Sequence, residues 1–368
     1  MSKIAVFAYD FPHRKTQDFL TALYLKGFNH VVAICAPKEE LSNNKIKKPN
    51  IFEIEMGAEV LDTKILCEKF KFNYHQLKHN DAKEIKKLIE KYNISTAIVS
   101  GARIISKDII SLFNNGIINF HPGKIPETSG LDSFYWMLRN NSIPGITVHY
   151  IDHKVDAGKL ISFDQVKLDI RDSICSLKAK LYQQQILSIY HLLSFQIASS
   201  EECVPLQRPH KNQPMSYEDK CSTLLKFEDW KQTILIRQLH ESIFIACEKG
   251  NLEYLKQLKD IDYLINIINA KHWSPLVVAA YNNHFELVKF LVDNGANINH
   301  CSIKGTSVLM YAKASQLNKK NKDYSVLNYL IENGANIYHT DIYGKNIIDY
   351  CYDSGDNELI DYFKNKRS

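Results

Sequence analysis

The chain has 368 residues, 45% of them hydrophobic and 24% charged, which describes a folded globular protein with room for two or three domains of roughly 150 residues. No run of about 18 apolar residues occurs, so a membrane-spanning helix is excluded. A net charge of +5 is too mild and too spread to argue for nucleic acid.

Met1-Ser-Lys-Ile-Ala-Val-Phe lacks the apolar core of a signal peptide and enters a strand-like run directly. Short β-branched, apolar runs then recur at residues 4–9, 31–36, 96–100, 117–120 and 147–151. Between most of them lie helix-period stretches at 15–26, 58–70, 81–92, 107–113 and 131–140. This alternation predicts an α/β fold with a mostly parallel sheet covered by helices. A long amphipathic helix is expected over 171–198, capped near Asp172 and Ser173. Residues 201–222, with three prolines, read as an irregular connection that either links domains or lines a cleft.

The last third repeats: "DNGANIN" at 293–299 returns as "ENGANIY" at 332–338. Each copy follows an apolar helix and precedes a Gly-containing turn. The stretch "HWSPLVVAAYNNHFELVKFLVDNGANIN" resembles the ankyrin repeat, whose period is about 33; a polar insertion at 317–322 accounts for the longer spacing here. Four units are expected: a capping one from His240, full ones near Ala270 and Cys301, and a truncated one from His339. The expected organisation is a catalytic domain over 1–165, a core-completing helix, loop and helix over 166–239, and ankyrin repeats over 240–368.

The eight cysteines form no Cys-x-x-Cys pair, a pattern of reduced thiols in a cytoplasmic protein, and no compact ligand set supports a metal. The basic excess lies in residues 1–239, with 32 Lys and Arg against 26 Asp and Glu; residues 240–368 carry 14 against 15. The first strand leads into "AYDFPHRKTQDFL", with neither a Gly-x-Gly-x-x-Gly nor a P-loop motif. His13, Arg14 and Lys15 open the first helix, where they either hold a phosphate or form a solvated basic turn.

The informative stretch is "GIINFHPGKIPETSGLDSFYWML". Asn119 and His121 leave the same face of a strand that Pro122-Gly123 ends, and ligands of open α/β sheets bind beyond such carboxyl ends. An amide and an imidazole there can stabilise one developing oxyanion. The strand "GITVHYID" runs into "HKVDAGK", placing Asp156 in the following loop, where a carboxylate could take the proton an attacking amine loses. His149, on that strand, is expected to be structural.

Asn119-x-His121-Pro-Gly, "GITVHYID" and Asp156-x-Gly158 resemble the formyltransferases that use N10-formyltetrahydrofolate. The resemblance covers residues 1 to about 165, and extends less securely to "LLKFEDWKQTILIRQLH", which resembles the helix ending the core of sugar-nucleotide N-formyltransferases. It implies a Rossmann-like core in which Asn119 and His121 polarise the formyl carbonyl and Asp156 handles the proton. The loop "SGARIISKD", with Gly101, Arg103, Ile104 and Ile105, and the backbone of Asp152 to Asp156, with Val155, would hold the pterin; Lys124 joins the three basic residues as an acceptor contact. Many relatives carry an arginine where this chain has Ser129.

Three acceptors recur among such enzymes. The tRNA enzymes carry a basic C-terminal domain, here replaced by a near-neutral repeat array, and the purine enzymes a Gly-rich phosphate loop. The resemblance thus implies a nucleotide-linked amino-dideoxy sugar, of dTDP or another nucleoside diphosphate, with neither metal nor membrane and with a homodimer expected. The competing reading is an ankyrin interaction protein with a retired catalytic domain. The repeats themselves either bind a protein, cover the catalytic domain, or form an accessory pocket from Trp273, Tyr281, Tyr311 and Tyr343.

Overall fold

The computed structural model describes residues 3–38, 59–102, 105–153, 156–194, 202–206, 212–317 and 322–366. It divides into two compact units, residues 1–235 and 236–368.

In the first unit the chain runs β1 (Ile4–Tyr9), α1 (Arg14–Leu25), β2 (Val31–Ala36), α2 (Thr63–Phe70), β3 (Asn73–Gln76), α3 (Ala82–Tyr92), β4 (Thr96–Val99), α4 (Lys107–Ile110) and β5 (Ile117–Pro122). It continues through α5 (Ser133–Arg139), β6 (Gly145–Ile151), β7 (Gly158–Gln165), α6 (Ile174–Ser194), β8 (Val204–Pro205), α7 (Tyr217–Leu225) and the start of α8 (Phe227–Lys249). The strands form one sheet in the order β3-β2-β1-β4-β5-β6-β7-β8. The first five strands in that order pair in parallel, and β6 to β8 pair antiparallel. The winding reverses between β1 and β4. β1 and β2 are buried on both faces, which is why their sequences are unbroken apolar runs rather than alternating ones. Phe19 of α1 meets Phe120 of β5 edge-on at 5.4 Å within the larger core, and Phe7 and Ile85 anchor the opposite one.

β3, β7 and β8 escape a periodicity reading. β3 is a polar edge strand, and β7 is half-buried along nearly its whole length, so neither shows the apolar run that marks β1. Helix α7 replaces the end of the expected irregular stretch: Ser216 Oγ accepts from the Asp219 N–H, with Glu218 and Asp219 in the first turn. Near the start of α6, Ser173 Oγ accepts from the Ser176 N–H, where a cap was expected.

The second unit holds the rest of α8 with α9 (Leu252–Lys256) and α10 (Ile261–Leu264), then the helix pairs α11 (Pro275–Tyr281) with α12 (Phe285–Asp293), α13 (Val308–Ala314) with α14 (Ser325–Glu332), and α15 (Ile347–Asp353) with α16 (Asn357–Asn365). The last unit, expected to be truncated, has both helices, and buried Leu359, Ile360 and Phe363 of α16 complete the core. Equivalent asparagines link successive repeats: Asn266 Oδ1 accepts from the Asn297 N–H at 2.8 Å, and Asn299 Oδ1 from the Asn336 N–H at 2.9 Å. The repeated motif thus supplies the bond joining one repeat to the next, as stacked units require.

Candidate active site

β5 delivers Asn119 and His121 to the carboxyl end of the sheet, while Ile118 and Phe120 turn into the core. Antiparallel pairing with β6 sets Asn119 opposite His149 and His121 opposite Thr147. Thr147 Oγ1 donates to Gly123 O at 2.6 Å and accepts from the Ile125 N–H at 3.2 Å, fixing the turn that follows His121.

His121 is 5% exposed and held at both nitrogens. Nε2 lies 3.0 Å from Thr128 O and 3.2 Å from Thr128 Oγ1. Thr128 Oγ1 donates its hydrogen to Lys124 O at 2.9 Å, so Nε2 faces two acceptors and carries the proton. Nδ1 is 3.4 Å from Asp156 Oδ1, the acceptor that a second ring proton would need.

Asp156 sits at φ +50°, a left-handed conformation aspartate tolerates, and its Oδ2 accepts from the Gly130 N–H at 2.6 Å. Burial opposes its ionisation. The His121 bond and charge and the Gly130 N–H outweigh that and hold the carboxyl below the usual aspartate range. With its side chain 12% exposed, the carboxylate is shielded yet reachable.

His149 is fully buried, and the structure gives it a role the sequence reading missed. Nδ1 lies 3.2 Å from both Tyr150 O and Ala157 O, so it carries a proton toward them. Burial, reinforced by the His121 charge, pushes the imidazole down to about 4, which keeps it neutral. Nε2 is therefore a bare acceptor, and Asn119 Nδ2, 3.3 Å away, donates to it. The amide is thereby oriented, with its second N–H and its oxygen left for a ligand. The Asn119–His149 register could have been found from the alternation of "GIINFHP" and "GITVHYI" had the two strands been paired.

The loop from Gly123 to Gly130 is strapped by residues 212–215. Asn212 N donates to Ser129 O at 3.1 Å, Asn212 Nδ2 to Glu127 O at 3.1 Å, Trp136 Nε1 to Gln213 O at 3.1 Å, and Met215 N to Asp132 Oδ2 at 3.0 Å. Trp136 is thus a half-buried strap contact rather than a core residue, whereas Trp230 is buried in the core. Ser129 is fully buried, with Oγ donating to Pro126 O at 3.0 Å.

The other sequence-selected residues have distinct surroundings. His13 caps α1, its Nδ1 accepting from the Thr16 N–H, and burial lowers its pKa. Arg14 is tied to Asp18 at 2.8 Å. Lys15 lies over the Phe19 ring at 5.1 Å, and burial pushes its ammonium down to about 8. Lys124 faces Glu127 at 4.0 Å. Gly101 abuts Tyr9 and His13, Asp152 is half-buried beside the Gly158 turn, and Ile105 turns its side chain into the core. Arg103, Ile104 and Val155 lie outside the described residues. In the repeats, Trp273 Nε1 donates to Tyr311 Oη at 2.8 Å and Tyr281 packs beside both, while Tyr343 stands exposed. Among the described residues no group of three His, Cys, Asp or Glu could hold a metal ion, and no helix is long and apolar enough to cross a membrane.

The comparisons with known proteins bear on the fold and the family. A family model described as formyl transferase matches residues 2–191, half the chain, and one for ankyrin repeats matches 243–341. The chain belongs to the formyl transferase family. It is 27% identical over 88 residues to a phosphoribosylglycinamide formyltransferase of Bacillus subtilis, covering 24% of this chain and 45% of that one. It is 25% identical over 210 residues to a methionyl-tRNA formyltransferase of Bacillus cytotoxicus, covering 56% and 60%. The chain thus spans about half the length of these curated relatives. Among solved structures, a candidate sugar N-formyltransferase of Mycobacterium tuberculosis aligns with TM-score 0.40 and 14% identity, covering 60% of this chain and 77% of that one.

Proposed function

We propose that this protein is a cytoplasmic N-formyltransferase that moves a formyl group from N10-formyltetrahydrofolate to the primary amine of a nucleotide-linked amino-dideoxy sugar. The observation carrying the reading is the bond set around His121: one nitrogen on Thr128, the other facing an ionised Asp156, with the oriented amide of Asn119 on the same strand end. The donor supplies an electrophilic formyl carbon, and the chain's residues suit transfer from it. The uncommitted Asn119 N–H can bind the formyl oxygen as negative charge develops there. Asp156, kept ionised, takes the proton that the amine loses on attack, directly or through water; His121, expected from the resemblance to polarise the formyl carbonyl, has its ring nitrogens engaged by Thr128 and Asp156 and in this reading holds the carboxylate in place. The carbon–N10 bond then breaks, and N10 regains a proton.

The sugar-nucleotide acceptor rests on resemblance and on charge. The repeat segment carries 14 basic against 15 acidic residues, no surplus with which to neutralise an RNA backbone, and the β1–α1 turn is no Gly-rich phosphate loop. Such products would serve surface polysaccharide synthesis. The deciding experiment incubates the purified chain with N10-formyltetrahydrofolate and a panel of 3- and 4-amino sugar nucleotides and reads +28 Da products by mass spectrometry. One formylated member, lost in His121→Asn, supports the proposal; formylation of none removes the acceptor assignment.

A further inference from the structure

We infer that the cavity walled by α5, α7 and the first turns of α8 binds a neutral, polyhydroxylated molecule of monosaccharide size. The cavity measures about 360 Å³, within the range of small-molecule sites, and none of Asn119, His121 and Asp156 lines it. Asp219, Ser222 and Thr223 of α7 form one wall, and Lys226 stands at the corner where α7 gives way to α8. Asp229, Trp230 and Thr233 of α8 form the next wall, and Leu138, Arg139 and Asn141 close the space at the end of α5. Counted from Asp219 on α7 and from Lys226 on α8, the wall positions fall three, four and seven residues on. One continuous face of each helix therefore looks into the cavity.

The observation that points to a ligand is the indole of Trp230. The residue is 2% exposed, yet its Nε1–H has no acceptor among the described residues. The other two tryptophans both donate, Trp136 to Gln213 O and Trp273 to Tyr311 Oη. A buried indole N–H ordinarily finds an acceptor, and one left without it is destabilising. Because Trp230 belongs to the cavity wall, a bound molecule can supply the missing oxygen.

The remaining wall selects hydroxyl groups. Arg139 and Lys226 are balanced by Asp219 and Asp229, so no net charge draws an anion or a cation. The apolar lining is Leu138 and the indole, too little for a hydrophobic ligand. Ser222 Oγ and Thr233 Oγ1 spend their hydrogens on Asp219 O and Asp229 O, each at 2.9 Å, and so turn acceptor oxygens to a ligand. The Asp229 carboxylate adds a further acceptor. Arg139 supplies donors from a fork already oriented, with Nη1 donating to Asp219 Oδ1 at 3.3 Å and the guanidinium 5.5 Å from the Trp136 ring centre. A hydroxyl both donates and accepts, so several on one compact frame match these interleaved groups, whereas an anion would meet two carboxylates.

The chain has three tryptophans, so the orphan N–H can be watched directly. Indole N–H signals of the isotope-labelled full chain are recorded by NMR, and the Trp230 signal is assigned as the one lost in Trp230→Phe. The protein is titrated with glucose, galactose and N-acetylglucosamine, and with inorganic phosphate as the anionic control. At least one sugar is expected to move the Trp230 signal downfield along a saturating curve. Asp229→Ala and Arg139→Gln, both at exposed positions, should weaken that sugar about tenfold with unchanged melting. The assignment is overturned by a Trp230 signal that no sugar moves, by one that phosphate moves as far, or by both variants titrating as wild type. Formyl transfer plays no part in the readout, so the outcome is separate from that of the proposed activity.

Discussion

The Asn119 carboxamide donates to Nε2 of His149 across 3.3 Å, and His149 can accept only because two backbone carbonyls hold its proton on Nδ1. An otherwise rotatable amide is thereby set in one orientation at the end of β5. His149→Ala is expected to lower kcat about 10- to 100-fold while KM for the acceptor changes little, since misplacing a transition-state donor costs far more than it costs ground-state binding. His149→Gln, whose side-chain oxygen can accept from Asn119, should recover part of the loss. Equal kcat in wild type and His149→Ala would show that Asn119 needs no such support.

The same burial makes His149 a source of acid sensitivity. Its folded-state pKa of about 4 lies below the ordinary 6.5, so between these values the unfolded chain binds a proton that the native chain refuses. Stability therefore falls as pH drops through that window, by about 3 kcal/mol in all, and is unaffected by this group above 6.5. Denaturant midpoints measured from pH 7.5 to 4.5 should decline in wild type and decline less in His149→Gln. Parallel curves for the two proteins would assign the sensitivity to other groups.

Asp156 behaves in the opposite sense to a base tuned toward neutrality. Because its carboxyl is held below the ordinary range, it stays ionised across the working pH span and contributes no inflection to kcat/KM between pH 5 and 8. Asp156→Asn keeps an acceptor for the Gly130 N–H but cannot take a proton at His121's side of the site. The expected result is a loss of about 10²- to 10⁴-fold in kcat with the shape of the profile unchanged. A variant retaining a tenth or more of wild-type turnover would move the proton-accepting role elsewhere.

What was legible in the sequence follows from which forces are local. Period-2 alternation places Asn119 and His121 on one face, and apolar runs reveal β1, β2 and β4 because a parallel central strand must be buried on both sides. The ankyrin units are legible because each repeat rewrites the same capping and turn chemistry. His149 was hidden: read along its own strand it is one more buried residue, and its partner is set by a cross-strand register that no single segment encodes. The strap at residues 212–215 was hidden likewise, since its bonds to Glu127, Ser129 and Asp132 are mostly backbone groups whose destinations depend on tertiary packing. Helix α7 was hidden by prolines upstream that dominated the reading of a stretch whose Ser216 cap lies past them.

The glycine of the "VDAG" turn yields a steric prediction. Gly158 opens β7 at φ +113°, and a Cβ there would lie 2.0 Å from Tyr150 O, a backbone atom of the paired strand that cannot step aside. Gly27, in the turn after α1, also has a positive φ of +79°, but no atom lies within 4 Å of its would-be Cβ. Gly27→Ala therefore meets only the conformational cost of a left-handed alanine, about 1–2 kcal/mol, whereas Gly158→Ala adds a clash and should cost about 3–5 kcal/mol. Because Asp156 lies two residues earlier, relief of that clash must shift the turn and loosen its bond to the Gly130 N–H. Gly158→Ala should thus lose turnover at temperatures where it remains folded, while Gly27→Ala keeps it. Denaturant titration and kcat measured on both variants make the comparison; equal destabilisation with equal turnover would mean that the Gly158 turn yields without disturbing Asp156.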